Sequence, residues 1–427
     1  MSGILIKNIG KIVQVRDLPV EKLSGTEMLK LPCLSEAWLH IEGGIIKDFG
    51  GMHTCPDFSL QRDLRVLDVV GGYVYPSWVD SHTHLVYAGT REIEFYDRIR
   101  GMTYTEIAER GGGILNSAKR LSEASEEELL REALPRLHEI ALQGTGTVEI
   151  KSGYGLTLES ELKILRVIKK LAAISLLHIK ATFLGAHAIP SEFKGSREKY
   201  IRQIIEEMIP RVAEERLAEF IDVFCEKGYF SQKETEEILL AGKKYGLKGK
   251  VHAEQLSHSG GIAAGVHCEA ISVDHLEFIN REDMELLKGG RTMPVILPGA
   301  AFFLDLPRPP AREIIDFGLP LAIASDFNPG SSPSGNMNFM QSVACIQYGV
   351  HPEEAINACT INGAYSLGLS GEVGSIERGK KANLFITRAI PSYIFPIYSF
   401  ASSCIETVIL AGKIYSEKDG REKVQVV

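Results

Sequence analysis

The strongest constraint on the fold is a regular alternation of short apolar runs and helical patterns between about residues 76 and 370. Each run has the length of one buried strand, and a segment with apolar residues at helical spacing follows it. With the apolar residues before His82, the runs give about eight strands, at residues 144–150, 178–184, 220–224, 249–252, 270–273, 292–297 and 319–325. Eight strand–helix units over about 290 residues predict an α/β fold, a TIM-like (β/α)8 barrel. An open doubly wound sheet is the alternative, but no Gly-x-Gly-x-x-Gly motif follows an early strand.

Two segments between these strands carry a capping box, in which a serine and a glutamate three residues later satisfy backbone N–H groups at a helix start. The pairs are Ser125 with Glu128 and Ser231 with Glu234. They predict helices that begin directly after the two serines and pack on the barrel.

The two ends of the chain differ from the middle, because their apolar runs are punctuated by glycine and proline and lack helical spacing. This pattern is typical of short antiparallel strands. We therefore expect a small β-sandwich domain built from residues 1–75 and 371–427, beside a barrel domain of residues 76–370. Two unrelated β extensions are the alternative.

The composition excludes several classes of partner. The formal net charge is −8 and no Lys/Arg-rich run is present, which argues against nucleic acid. An anionic substrate would therefore need a local cluster of positive charge. No apolar run approaches the ~18 residues of a membrane span, and no signal-peptide pattern opens the sequence. The seven cysteines form no Cys-x-x-Cys pair and are typical of reduced thiols, so a cytoplasmic location is expected.

Residues able to carry chemistry collect where the predicted strands end. His82 and His84 follow the first strand at positions i and i+2, so an extended backbone points both imidazoles to one side. Later strands end in further candidates, His187, His252, His275 and Asp326. In a (β/α)8 barrel the carboxyl ends of the strands meet at one face, where active sites form. The sequence predicts a metal-dependent hydrolase site at this face.

The types of ligand narrow the choice of metal. Imidazoles with one carboxylate suit Zn²⁺ or iron, whereas all-oxygen sets suit Mg²⁺ or Ca²⁺. A set of His82, His84, His252 and Asp326 leaves one position for water, whose pKa a bound metal lowers to about 7. Asp326 would hold that water and accept its proton, and His275 would orient it or stabilise the anionic intermediate.

The motif Asp80-Ser81-His82-Thr83-His84, followed by His252, His275 and Asp326, resembles the amidohydrolase superfamily. The His-x-His pair is general to that superfamily. Longer stretches are similar to one branch, which opens an imidazolone ring in histidine degradation, and they comprise residues 79–91, 111–114, 149–156, 182–190 and 325–333. The tail at 374–384 also fits the superfamily.

This resemblance implies hydrolysis of the ring C–N amide bond of a small anionic imidazolone, by a homodimer with one zinc or iron ion per subunit. It assigns the metal to His82, His84, His252 and Asp326. It assigns catalysis to Asp326, His275 and Gln255. It assigns substrate binding to Arg91, Tyr154, His187, Gln255, Asn328, Gly330 and Ser331. Arg91 is a bidentate fork for a carboxylate, which agrees with an anionic substrate.

The sequence leaves the roles of some residues undecided. Gln255 lies where some members of the superfamily carry glutamate, and an amide cannot titrate, so proton transfer falls to Asp326 and His275. Lys151 stands near a place where binuclear relatives use a carbamylated lysine, but with one metal we expect it to be structural. The direction of Glu254 and a pocket-closing role of Tyr104 are undecided.

The main alternative is an aminohydrolase similar to guanine or cytosine deaminases of the same superfamily. Those enzymes usually need a carboxylic acid at the place of Gln255, and Arg91 also counts against them. A barrel that has lost catalysis is a second alternative, and the presence of all the candidate metal ligands counts against it.

Overall fold

Two β-sheets organise the chain in a computed structural model that describes residues 3–59, 63–102, 106, 112–416 and 419. Strands β6 to β13 form one parallel sheet with neighbours in chain order, and the remaining strands form the other sheet. The strands are β1 (Ile4–Val13), β2 (Cys33–Glu42), β3 (Ile45–Gly51), β4 (Arg65–Asp68), β5 (Gly72–Pro76), β6 (Trp78–Asp80), β7 (Thr145–Lys151), β8 (His178–Ala186), β9 (Phe220–Cys225), β10 (Lys248–Ala253), β11 (Ser272–His275), β12 (Met293–Ile296), β13 (Ala322–Ile323), β14 (Leu384–Ala389), β15 (Ile405–Leu410) and β16 (Lys413–Tyr415).

The parallel sheet closes on itself just beyond its first and last strands. Thr83 forms a parallel bridge with Phe327. The N–H of Asp326 donates to the carbonyl of His82 at 3.0 Å, and the N–H of His84 donates to the carbonyl of Phe327 at 2.9 Å. The predicted (β/α)8 barrel is therefore confirmed, and the open doubly wound alternative is wrong. The closure also fixes the backbone around both histidines.

The barrel strands are buried along their whole length in most cases, as expected for parallel strands covered on both faces. The last strand is shorter than the predicted run at 319–325, because only Ala322 and Ile323 pair as a strand. The N–H and hydroxyl of Ser325 both donate to the carboxylate of Asp80, at 3.0 and 2.5 Å. Ser325 is thus tied to the first strand, and the chain leaves the sheet there.

Helices follow the barrel strands and cover the outside. Both predicted capping boxes are confirmed, since the side chains of Ser125 and Ser231 accept from the N–H groups of Glu128 and Glu234. The α-helices are α1 (Glu92–Ile99), α2 (Ile114–Glu123), α3 (Glu126–Leu142), α4 (Leu158–Ile174), α5 (Arg197–Gln203), α6 (Ile209–Glu214), α7 (Gln232–Lys244), α8 (Gly261–His267), α9 (Arg281–Leu287), α10 (Pro298–Leu304), α11 (Ala311–Asp316), α12 (Met337–Tyr348), α13 (Pro352–Ala358), α14 (Ile361–Tyr365) and α15 (Phe395–Tyr398).

The second sheet combines both termini, as predicted. It runs in the order β16-β15-β14-β5-β1-β2-β3, and β4 pairs with β1. The amino- and carboxyl-terminal parts join where β14 pairs antiparallel with β5, and Tyr75 stacks on Phe385 at 5.0 Å across this join. The alternative interpretation, in which the two termini form unrelated β extensions, is therefore wrong. The domain boundaries at 75/76 and 370/371 stay a prediction.

Among the described residues, no helix combines the length and the apolar character needed to cross a membrane. The seven cysteines are all free thiols. Tyr104 lies outside the described residues, and so does Gly111, the first residue of the stretch 111–114 that resembles the family.

Candidate metal and substrate-binding site

The barrel closure places two histidines and an aspartate around one point. His82 and His84 flank Thr83, whose carbonyl accepts from the N–H of Lys151 at 2.8 Å, so both rings face the same side. Asp326 follows the last strand with a φ of 55°, a left-handed turn. Its Oδ1 lies 3.6 Å from Nε2 of His82 and 3.6 Å from Nε2 of His84. These three residues form a group whose ligand atoms lie within 4.8 Å of one another.

A second group shares one member with the first. His252 near the end of β10 and His275 at the end of β11 approach His82, and the ligand atoms of these three also lie within 4.8 Å of one another. The ring centroids of His82 and His252 are 4.5 Å apart. The predicted ligand set is thus divided between two overlapping groups, with His82 common to both.

Two of the histidines have a buried carboxylate beside Nδ1, the ring nitrogen that faces away from the cluster. Nδ1 of His82 lies 2.7 Å from Oδ2 of Asp274. Nδ1 of His252 lies 3.0 Å from Oδ2 of Asp222, within ion-pair range although the ring is not aligned for a hydrogen bond. A carboxylate behind a histidine fixes the ring and strengthens its other nitrogen as a metal ligand. Both arrangements leave Nε2 directed to the cluster.

The two aspartates belong to a fully buried set of charges inside the barrel. We call the five residues Glu149, Lys151, Asp222, Lys250 and Asp274 the charge layer. Nζ of Lys151 lies 2.7 Å from Glu149, 2.8 Å from Asp222 and 3.8 Å from Asp274. Burial alone would lower the pKa of Lys151, but the carboxylates of Asp222, Glu149 and Asp274 outweigh it and raise that pKa. Lys151 is therefore a cation that holds the carboxylates, as expected from its structural role.

The cluster has the properties of a metal site. Nε2 of His82 and Nε2 of His252 are buried and have no hydrogen-bond partner among the described residues. Burial keeps these imidazoles neutral at pH 7, since it lowers the pKa of His82 well below its usual value and that of His252 to about 3. Burial also raises the pKa of Asp326 to about 6. Neutral imidazoles and a buried carboxylate that needs a positive partner suit a zinc or iron ion.

The loop after Asp326 is shaped by side-chain hydrogen bonds. The hydroxyl of Ser331 donates to Oδ2 of Asp326 at 2.9 Å. Oδ1 of Asn328 accepts from the N–H groups of Gly330 and Ser331, both at 2.8 Å, while its Nδ2 donates to the carbonyl of Asp326 at 2.6 Å. Asn328 thus organises the loop that leads away from the cluster.

A cavity of about 450 Å³ opens above the cluster. All the predicted site residues line it except His82, which is fully buried beneath. Tyr154 is buried beside His84 and His187, and burial raises its pKa, so its hydroxyl stays protonated. Nδ1 of His187 lies 2.9 Å from the carbonyl of Gly153, and its ring stacks on that of His84. One wall is therefore aromatic, with polar groups that point inward.

Arg91 also lines the cavity, at the start of α1. Its Nε and Nη2 donate to the carboxylate of Glu94, with Nε at 2.8 Å. The other carboxylate oxygen of Glu94 accepts from the N–H of Gly113 at 3.0 Å. A Cβ atom on Gly330 would come within 2.2 Å of Nη1 of Arg91. The guanidinium is thus fixed between Glu94 and the loop that follows Asp326.

The structure settles the direction of Glu254, which does not line the cavity. Its carboxylate accepts from the N–H groups of Gly260, Gly261 and Ile262 at 2.9 to 3.2 Å, at the start of α8. Gln255, the next residue, does line the cavity. The candidate site thus presents an amide here and no titratable acid.

The sequence interpretation missed residues of two kinds. Asp222 and Asp274 lie inside apolar strands, and an acid in such a run is itself a signal, because a buried charge needs a partner. Arg98 lines the same cavity as Arg91. It lies seven residues further along α1, which places it on the same helix face, and this spacing was available from the sequence.

A profile of the amidohydrolase family matches residues 73–415. The fold agrees, since a zinc-containing adenosine deaminase from Xanthomonas campestris superposes with a TM-score of 0.67 and 14% identity, covering 100% of this chain and 99% of the other. A guanine deaminase from C. acetobutylicum gives 0.71 and 14%, covering 97% and 100%. At this identity the likeness shows the fold alone. Fold, cluster and profile together define a hydrolase of the amidohydrolase class.

Closer relatives specify the branch. A protein of Flavobacterium johnsoniae named imidazolonepropionase is 56% identical over 410 residues, covering 96% of this chain and 99% of that protein. The imidazolonepropionase of Geobacillus kaustophilus is 41% identical over 421 residues, covering 97% and 98%. The chain belongs to the imidazolonepropionase family of amidohydrolases.

Proposed function

We propose that the protein hydrolyses the ring amide of 4-imidazolone-5-propanoate to N-formimidoyl-L-glutamate. The observation that carries this proposal is a single cavity lined both by the histidine–aspartate cluster and by the guanidinium of Arg91. A substrate with an amide ring and a carboxylate on a short arm needs these two features together. The relatives named imidazolonepropionase support the same substrate.

One zinc or iron ion per subunit would be held by His82, His84, His252 and Asp326. When bound, such an ion polarises the ring carbonyl and acidifies a water molecule. The unpartnered Nε2 atoms of His82 and His252 support this assignment. His275 belongs to the second overlapping group, and we assign it to the reacting centre because the other set already combines three imidazoles with one carboxylate.

Asp326 would move the proton. Its Oδ2 is held by Ser331, which fixes the carboxylate in the cavity wall. Asp326 takes a proton from the attacking water as the oxygen of that water bonds to the ring carbonyl carbon. It then delivers the proton to the ring nitrogen as the C–N bond breaks. His275 faces the same space and would stabilise the negative charge that develops on the carbonyl oxygen. Gln255 orients the ring by hydrogen bonds.

The remaining residues would position the substrate. Arg91 pairs with the propanoate through its guanidinium group, and the protonated hydroxyl of Tyr154 donates to the substrate. His187 forms part of the aromatic wall. Asn328, Gly330 and Ser331 supply the loop that joins the metal ligands to Arg91.

A deaminase of the same class is not favoured. The likeness to guanine deaminase concerns the fold alone, and the cavity carries Gln255 where release of ammonia needs an acid. Arg91 would also have no partner on a neutral nucleobase.

We further propose a homodimer and a cytoplasmic location. Two exposed aromatic side chains support an association surface, since Phe302 and Phe400 both pack on the partly buried Phe339. Light scattering on the purified protein should give twice the chain mass. The free cysteines fit a reducing compartment.

The deciding experiment is metal analysis combined with an absorbance assay on freshly generated imidazolone propanoate. We expect about one zinc or iron per chain and loss of substrate absorbance that depends on that metal. Guanine and cytosine serve as controls, with ammonia as the readout. A metal-loaded protein that leaves imidazolone propanoate intact but releases ammonia from a nucleobase would overturn the proposal.

A further inference from the structure

The positive charge of Arg91 is already compensated before any substrate enters. Nε and Nη2, the two donors best placed for a bidentate carboxylate, both donate to Glu94. Glu94 cannot easily release Arg91, because its second oxygen accepts from the N–H of Gly113 at the start of α2. The pair Arg91–Glu94 has a formal charge of zero. Arg91 therefore offers directed hydrogen bonds to an entering carboxylate, but little net attraction.

A second guanidinium lines the same cavity and is not compensated in this way. Arg98 lies two turns further along α1, about 10 Å along the helix axis, and its side chain reaches the cavity wall beside Leu304 and Leu306. Among the described residues, no carboxylate lies within ion-pair distance of Arg98. Burial lowers the pKa of Arg98 and the charge of Arg91 lowers it further, whereas the carboxylate of Glu94 raises it.

The orientation of Arg98 is fixed by stacking. Its guanidinium carbon lies 4.8 Å above the ring of Phe303, and that ring stacks on Phe95 of α1 at 5.2 Å. A guanidinium that packs its face on an aromatic ring keeps its N–H donors, which lie in the plane, available at the edge. Arg98 is thus held in place by stacking, and within the described part of the chain no carboxylate forms an ion pair with it.

We propose that Arg98 is the residue that selects for an anionic substrate arm, by supplying the uncompensated positive charge to the propanoate that Arg91 orients. The proposal rests on the proposed function, since it assumes a carboxylate on the substrate. It divides the work between two arginines of one helix. Arg91, fixed by Glu94, sets the direction of the carboxylate, and Arg98 sets the preference for a charged arm over a neutral one.

Arg91, Glu94 and Arg98 form one charged group at this side of the cavity, and Arg98 is the member whose charge is not balanced by an ion pair. With Arg98 present, Arg91, Glu94 and Arg98 sum to a charge of +1. A neutral residue at position 98 reduces the sum to zero and leaves the hydrogen-bond donors of Arg91 in place. The overall chain carries a charge of −8, so this local charge must overcome a repulsive surrounding field.

The test compares Arg98→Ala, Arg98→Lys and Arg100→Ala with the unchanged holoenzyme. Arg100 is the matched control, because it ends the same helix but is exposed over Tyr96 and does not line the cavity. Turnover of imidazolone propanoate gives KM and kcat. Calorimetry with the metal-loaded protein gives the affinities for 3-(imidazol-4-yl)propanoate and for its uncharged amide.

Arg98→Ala should raise KM about 10- to 100-fold with kcat changed less than about threefold, as for loss of one hydrogen bond to a charged group. The preference for the acid over the amide should fall by the same factor. Arg98→Lys should restore much of that preference, and Arg100→Ala should change neither quantity. A fall in melting temperature without loss of acid preference would reduce Arg98 to a structural residue.

The two proposals fail in different ways. If the unchanged enzyme turns over imidazolone propanoate but Arg98→Ala keeps its KM and its acid preference, the assignment of Arg98 is wrong and the function stands. If the unchanged enzyme does not turn over this substrate but prefers the acid ligand through Arg98, the proposed function is wrong and the anion site stands.

Discussion

The candidate site has two ends that are built in opposite ways. We call His82, His84, His252 and Asp326 the metal end, and Arg91 with Arg98 the carboxylate end. The metal end lies on strand termini, is almost fully buried and is supported by the charge layer. The carboxylate end lies on one helix, α1, whose side chains are all at least partly exposed. The difference suggests that the position of the metal is fixed by the barrel, whereas substrate selection depends on a more adaptable surface element.

The physical reason is the tolerance of each task. A metal ion needs its ligands at defined distances, so a residue on a hydrogen-bonded strand with a carboxylate behind it is well suited. A carboxylate on a flexible arm tolerates small shifts of a long arginine side chain. The contrast predicts that changes at the metal end abolish turnover or destabilise the fold, whereas changes at the carboxylate end alter KM.

The largest effect on activity should come from Asp326→Asn. The amide keeps the shape and the hydrogen bond from Ser331, but it cannot accept a proton from water. We expect kcat to fall at least about 10³-fold while circular dichroism stays unchanged. Asp305→Asn is the control, because Asp305 is exposed and does not line the cavity, although its neighbours Leu304 and Leu306 do. Turnover of Asp326→Asn close to normal would remove this residue from its proposed role.

The charge layer should make Lys151→Met the most destabilising change. The substitution leaves Glu149, Asp222 and Asp274 buried without their shared cation, which should cost about 3–5 kcal/mol of unfolding free energy. Lys180→Met is the matched control, because Lys180 pairs with Glu219 at 3.2 Å near the surface and should cost at most about 1 kcal/mol. Urea unfolding measures both. Equal losses would mean that Lys151 does not stabilise the buried carboxylates of the charge layer.

The charge layer also marks the limit of what the sequence could predict. The eight strands, both capping boxes and the histidines at strand ends follow from local patterns, because periodicity and turn chemistry are local properties. The support of His82 by Asp274 joins residues 192 positions apart, and no local rule specifies that pair. Asp222 in β9 and Asp274 in β11 indicate from the sequence that each needs a buried partner. Only the barrel geometry identifies those partners as Lys151 and the two histidines.

The carboxylate end was predicted only in part for a related reason. Arg91 lies in the stretch 79–91 that carries the family resemblance, and that resemblance assigns it to the substrate. Arg98 has no motif, and its relevance depends on the ion pair between Arg91 and Glu94, which changes the net charge that an anion meets. A sequence gives the spacing of charges along a helix but not which of them are already compensated.

Removal of Arg91 should separate binding from chemistry. Arg91→Ala should raise KM by the equivalent of about 2–4 kcal/mol of binding free energy while kcat and metal content stay near normal. Arg91→Lys should fall between, since lysine keeps the charge but lacks the fork. Steady-state kinetics with metal analysis measures both properties. An unchanged KM would mean that the carboxylate is held elsewhere, and a loss of metal would mean that the two ends are not independent.

The smallest effect is expected at Gly330, where the loop from the metal end contacts the carboxylate end. Gly330 lies in the loop that begins with Asp326, and a Cβ atom there would come within 2.2 Å of Nη1 of Arg91. Gly330→Ala should therefore displace the guanidinium and raise KM about tenfold, which corresponds to about 1.4 kcal/mol. The displacement acts through Arg91, so the same substitution should have almost no effect in the Arg91→Ala background, and a double-mutant cycle measures this coupling. If Gly330→Ala lowers kcat or metal content in both backgrounds, the loop serves the metal end instead, and the separation between a rigid end and an adaptable end fails at this residue.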